Sequence, residues 1–221
     1  MLYIEALIRA PVGAVWRLSQ EPDLHQRWDL RFSRIERSGP DGRFRYASRV
    51  LPGLTIVGTG ISVGERRRPD GTGTSVLRFA SAHPLSLIRS GTGYWRYKPV
   101  DGGVRFLTGY DYQPGWGRLG RVADLAFRPL FGWATAWSFD RLRLWLERGI
   151  PPERSRNQAL AELLARLVIA VVGGVTGHWI AVLAFAVPPL PTTPAARRCR
   201  RRPPDRLAGT APATLARLER P

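Results

Sequence analysis

Runs of alternating apolar and polar residues, joined by tight-turn signals at Pro40-Asp41-Gly42, Pro69-Asp70-Gly71 and Asp101-Gly102-Gly103, carry a hairpin signature. They predict seven strands in a meander, at 2–9, 30–38, 43–50, 54–65, 74–81, 91–99 and 103–112. Between the first two strands the period lengthens, predicting short helices over 12–19 and 22–27. Pro11 suits a first helical turn, where its missing N–H costs nothing, and Val12, Val15, Trp16 and Ser19 share one face. From Gly117 to Arg148, the apolar residues Leu130, Trp133, Ala134, Trp137, Leu144 and Trp145 recur at three- and four-residue steps, the mark of a long helix. Asp140, Arg143 and Glu147 can pair along its other side. Pro129 is expected to kink or split this helix, and Gly149 followed by Pro151-Pro152 to end it.

Side chains alternate across a strand, so the charged positions separate the two faces of the sheet. Arg43, Arg45 and Arg49 leave Phe44, Tyr46, Ser48 and Val50 for the inner face of their strand. Arg96 and Lys98 likewise leave Trp95 and Tyr97, while Arg105 and Asp111 leave Val104, Phe106, Thr108, Tyr110 and Tyr112. Thr55, Val57, Thr59, Ile61 and Val63 are assigned inward on the fourth strand. The inner face is thus expected to be aromatic and the outer face basic. Ordinary core packing accounts for any single one of these residues. As a set they exceed what one sheet face and one helix readily fill, and tyrosine and tryptophan bring polar tips that suit an oriented apolar ligand.

The stretch Ile8 to Asp29, with Pro11, Val15-Trp16, Asp23 and Trp28-Asp29, and the run Trp137-Ser138-Phe139-Asp140-Arg141-Leu142-Arg143-Leu144-Trp145-Leu146-Glu147 resemble the SRPBCC superfamily. This is the START-like group that includes polyketide cyclases and lipid-transfer proteins. The resemblance covers about residues 1–150 and implies an α+β helix-grip fold: a curved seven-stranded antiparallel sheet around a long C-terminal helix, with an apolar cavity between them. Trp28, Tyr46, Ser48, Thr59, Phe79, Trp95, Tyr97, Phe106, Thr108, Tyr110, Trp133 and Trp137 are the expected ligand-binding residues. The superfamily has no universal catalytic residue to carry over, and fold alone does not fix function.

Two functions follow as expectations. The first is binding or transport of a lipid, polyketide or similar apolar molecule. The second is a cyclase or dehydratase, which needs a proton-transfer group in the cavity. No acid or histidine falls on the inner face of the central strands, which leaves Tyr46, Tyr97, Tyr110, Ser48, Thr59 and Thr108; among these Tyr110 is favoured for catalysis, with Ser and Thr hydroxyls orienting the substrate. Asp29 and His83 are placed near a pocket mouth in capping or solvated roles, and His25 on the exposed face of its helix.

Composition narrows the rest. Cys199 is the single cysteine and the three histidines are scattered, so no intramolecular disulfide, no metal site and no cofactor are expected. No charged-then-apolar leader precedes the first strand, and the cytoplasm is the default location. The net charge of +17 predicts adhesion to polyanions and anionic lipid. Specific nucleic-acid binding is not expected: Gly91-Thr-Gly93 lies before a strand and not before a helix, and the arginine stripe lacks interleaved aromatics.

After a linker and helix start at 151–166, residues 167–190 carry no formal charge over 24 positions, long enough for a transmembrane or interfacial helix. Beyond it, six arginines from Arg197 to Arg206 would face the cytoplasm by the positive-inside rule, in conflict with a cytoplasmic domain on the near side. An interfacial helix resolves the conflict. So does a tail changed by a frameshift or truncation, since similar proteins carry a DoxX-like membrane domain after the same Pro-Pro linker and Arg166 to Val175 resembles its beginning. The tail 191–221, rich in Pro, Arg, Ala and Thr, is expected to be disordered.

Overall fold

The computed structural model describes residues 1–39, 41–177, 179, 182 and 185–212. Pro40 of the first turn signal, His178 of the apolar segment and 213–221 of the tail lie outside the described residues. Turns at Gly71 and Gly102 adopt φ of 79° and 75°, where a side chain would clash with the backbone, and so close their hairpins. The strands are β1 (Leu2–Ile8), β2 (Arg34–Arg37), β3 (Arg43–Leu51), β4 (Leu54–Arg67), β5 (Gly73–Ala80), β6 (Ile88–Val100) and β7 (Gly103–Pro114). They form one antiparallel sheet in the order β1-β7-β6-β5-β4-β3-β2. Helices α1 (Val12–Gln20) and α2 (Pro22–Trp28) separate β1 from β2, and α3 (Gly117–Arg148) follows β7. This is the α+β helix-grip arrangement expected from the sequence.

Three local readings need correction. Pro11 is the N-cap of α1 with extended ψ of 139°, one residue before the first turn. The second strand begins at Arg34, because residues 29–33 form a loop that turns Arg31 inward. Helix α3 runs through Pro129 as one element and stops at Gly149, whose N–H reaches the Trp145 carbonyl at 3.1 Å with φ of 62°.

The core sits where α1, α2 and the C-terminal half of α3 close over the inner face of β1, β7 and β6. Trp28, Tyr97, Phe106 and Phe139 are fully buried there. Phe106 stacks on Phe139 at 4.6 Å between ring centroids, and Trp28 meets both edge-on. Each such side chain contributes about 1.5–3 kcal/mol by leaving water. Buried Arg141 ties the elements together: it donates to the carbonyls of Trp28, Arg27 and Pro152, at 3.0, 2.9 and 3.0 Å.

The C-terminal region departs most from expectation. Helix α4 (Pro152–Val175) starts within the expected 151–166 and ends well before 190. Gly177 then turns left-handed at φ of 71°, and the chain comes back: Arg166 donates to the carbonyls of Val187 and Pro188, and Leu190 N–H reaches Glu162. The described residues 187–190 therefore lie back against the middle of α4 and do not continue it. The described part of the tail packs against the domain. A 3-10 turn (Ala196–Arg198) packs on α3, where buried Asp140 accepts from Ala195 N–H and Arg198, both at 2.8 Å. Arg200 bridges the free edge of β1 at Glu5, and α5 (Arg206–Gly209) sets Ala208 against Tyr3, Val76, Tyr94 and Leu107. The expected basic outer face is thus partly covered by the tail.

Candidate functional site

Strand pairing fixes which residues share the inner face. Moving outward along the sheet, one row reads Tyr112, Gly91, Phe79, Gly60 and Phe44, and neighbouring rows bring in Tyr110 with Gly93 and Tyr46 with Gly58. Large rings alternate with glycines because each ring lies over the glycine of the adjacent strand. A Cβ at Gly60 would sit 2.2 Å from Phe44 Cζ, at Gly58 2.3 Å from Tyr46 Cζ, at Gly91 2.5 Å from Phe79 Cζ and at Gly93 2.7 Å from Tyr110 Cδ1. The rings therefore lie flat and tile the sheet. Helix α3 packs mainly on β1 and β7, closing this bay on one side with Phe127 and Phe131, which meet Tyr112 edge-on at 6.1 Å. Phe44, Tyr46, Phe79, Phe127 and Phe131 each keep part of their surface open to solvent.

A polar cluster stands where the bay meets the packed core. Arg31 forms a buried ion pair with Asp29 at 2.6 Å, and His25 Nε2 lies 2.9 Å from the same carboxylate. The Arg31 guanidinium is caged by Phe32, Tyr110 and Phe131, at 5.4, 4.8 and 5.4 Å from the ring centroids, and also donates to the Tyr110 hydroxyl. Burial would raise the Asp29 pKa, but the Arg31 charge and hydrogen bonds hold it well below the usual carboxylate range. Burial lowers the pKa of His25, with Asp29 only partly offsetting it. Burial likewise raises Tyr110, against the opposing charge of Arg31, so the phenol stays protonated and acts as a hydrogen-bond donor or acceptor. Tyr46 is pushed up to about 12 by burial. Close by, the buried Trp95 indole N–H has no hydrogen-bond partner among the described residues.

The residues expected at the site divide into groups. Tyr46, Phe79 and Tyr110 line the bay, and Ser48 borders it while donating to the Arg31 carbonyl at 2.6 Å. Trp28, Tyr97, Phe106 and Thr108 belong to the packed core: the Tyr97 hydroxyl is held by Ser19 and Gln20, and Thr108 donates to the Tyr94 carbonyl. Trp95 lies between the two groups. Thr59 is on the other face, paired with Arg45, as are Thr55, Val57, Ile61 and Val63. Trp133 and Trp137 stack on each other at 6.2 Å on the side of α3 away from the bay, beside a groove of about 760 Å³ whose other wall is the tail from Pro189 to Arg202. His25 is buried between Trp28, Phe32 and Trp95, not exposed, and His83 accepts from Leu85 N–H in the β5–β6 loop. Arg31 escaped the sequence reading because residues 30–38 look like a strand; its spacing of two from Asp29 was the only signal. On the outer face, a second groove of about 920 Å³ runs across β3–β7 between side-chain ridges that carry Arg43, Arg45, Arg78 and Asp111.

No family model matches the chain. An uncharacterized membrane protein of Bacillus subtilis, YndG, is 46% identical over 165 residues, covering 72% of this chain and 62% of YndG. The chain thus spans less than two thirds of that relative's length. Among solved structures, a STAR-related lipid transfer protein from Xanthomonas axonopodis is 17% identical, covers 65% of this chain and 84% of its own, and has a TM-score of 0.50. The di-domain ARO/CYC StfQ of the steffimycin biosynthetic pathway is 16% identical, covering 66% of this chain and 49% of its own, also at a TM-score of 0.50. The sheet order, the gripped α3 and these likenesses agree: the chain has the helix-grip fold of START-like proteins.

Proposed function

We propose that the chain binds a hydrophobic small molecule against the tiled rings of the bay, with the Arg31–Tyr110 pair and the Trp95 N–H receiving its polar end. The observation that carries this reading is the run of ring-over-glycine pairs, which presents a broad, flat apolar surface that α3 does not cover. Such a surface favours ligands with extended apolar faces, and the buried donors at its inner end favour one that also carries an oxygen acceptor. Solved structures with this fold include a STAR-related lipid transfer protein and an ARO/CYC of the steffimycin biosynthetic pathway, which supports the same ligand class. Helix α4 holds the chain at a membrane. It is long and apolar enough to cross a bilayer, its apolar stretch is almost wholly exposed, and the related YndG is named a membrane protein.

The alternative is a cyclase or dehydratase in which the Tyr110 hydroxyl, oriented by Arg31, donates a proton to a carbonyl oxygen of the substrate. Titration with a fluorescent apolar probe tests the first reading. Phe79→Asp is expected to weaken binding at least about tenfold, the effect of one lost aromatic contact, with circular dichroism unchanged; unaltered affinity would overturn the site. Turnover of a bound polyketide that disappears in Tyr110→Phe while binding persists would favour the alternative.

A further inference from the structure

The outer side of α3 carries an apolar stripe that the ligand site does not use. Leu119, Val122, Leu125 and Leu130 are each more than 60% exposed, and Trp133 continues them at helical spacing. From Leu119 to Trp133 the stripe is about 21 Å long at 1.5 Å per residue. It is extended at its start by Trp116, whose indole donates to the Pro84 carbonyl at 2.8 Å beside exposed Leu85. Trp116 holds this place in a left-handed conformation, φ 58°, that is unusual for a bulky residue.

The charges flanking the stripe are of one sign. Arg118 and Arg121 are exposed and form no ion pair among the described residues. Asp124, the only acid between Gly117 and Phe139, is turned to the other side, where it accepts from Tyr112 at 2.5 Å and Arg128 at 2.9 Å. An apolar helix face more than two turns long, edged by unpaired arginines and ending in tryptophan, has the composition of a helix lying in a membrane interface.

We infer that the N-terminal half of α3 lies on an anionic bilayer surface, apolar stripe inward to the acyl chains and Arg118 and Arg121 on lipid phosphates. This contact is separate from the membrane association of α4 proposed above and does not depend on it. Phe127 and Phe131, on the opposite side of the same turns, wall the bay. The helix thus stands between lipid and bay, with one face toward each.

The test uses the full chain with an environment-sensitive NBD label on Val122→Cys, and in a separate sample on Val171→Cys in α4. The Cys199 thiol is buried with its pKa pushed up to about 12, so the introduced cysteine is modified selectively. On vesicles of phosphatidylcholine with phosphatidylglycerol, the label at 122 is expected to shift to the blue and to be quenched by doxyl lipids. Arg118→Gln with Arg121→Gln should weaken vesicle partitioning roughly tenfold or more, at about 1 kcal/mol per basic residue. A label at 122 that stays in water while the one at 171 is embedded overturns the inference and leaves the anchor standing. A label at 171 in water with 122 embedded overturns the anchor alone. Lipid-free dimerisation that shields 122 assigns the stripe to a second copy and also overturns the inference.

Discussion

The guanidinium of Arg31 lies over the Tyr110 ring at 4.8 Å and donates to the same residue's hydroxyl, joining the loop before β2 to the centre of β7. Asp29 balances the charge, so each member of the cluster is buried only because the others are. Arg31→Ala is expected to destabilise the fold by about 3–5 kcal/mol, the cost of leaving one partner of a buried ion pair alone. Tyr110→Phe strands one donor and should cost about 1–3 kcal/mol. Urea unfolding of the two variants checks both the order and the size of these effects.

The glycines beneath the rings give a sharper test of the bay itself. Gly60→Ala and Gly91→Ala place a methyl where Phe44 and Phe79 now lie, so each ring must tilt off the sheet. Overpacking of this kind costs about 1–3 kcal/mol, and tilted rings no longer tile the surface. Weaker binding of an apolar probe is expected for both variants. Gly13→Ala, at a position with nothing within 4 Å, should leave binding unchanged.

Stability should fall with pH in two stages. His25 is neutral in the fold because burial lowers its pKa below the unfolded value of about 6.5. Below that pH the unfolded chain takes up a proton that the folded chain refuses, so stability drops by at most about 1.4 kcal/mol per pH unit. Asp29 has the opposite charge and the same sign of effect. Its depressed pKa contributes stability above the ordinary carboxylate value of about 3.9, which is lost as the pH falls below it. In His25→Gln the first stage should disappear and the second remain, as read by chemical denaturation across the range.

The strand count, the two short helices, the extent of α3 and the antiparallel meander of β2–β7 were legible because charge alternation and turn glycines act locally; the first strand is not part of that meander, since it pairs with β7 across the sheet. The face of β4 was not. That strand has no charged residue before Glu65, and its alternating Thr55, Val57, Thr59, Ile61 and Val63 look like a buried set. They point outward because Gly58 and Gly60 take the inner positions and yield them to Tyr46 and Phe44. Glycine carries no hydrophobic signal, so a face built from glycines and neighbouring rings is invisible to a pattern read along one strand. His25 and Arg31 were hidden for a related reason: a charged or polar residue reads as exposed unless its partner is known, and theirs is the carboxylate of Asp29. The tail is held by capping bonds to Asp140 and by one bridge to β1, neither of which leaves a periodic trace.

Native mass spectrometry of the freshly purified full chain, released gently from detergent, addresses ligand binding most directly. A bound apolar molecule should appear as a discrete mass adduct, present in the wild-type chain and in Gly13→Ala and depleted in Phe79→Asp. A chain that flies bare and takes up no apolar compound from a mixed lipid and polyketide extract, or an adduct that persists undiminished in Phe79→Asp, would contradict the account.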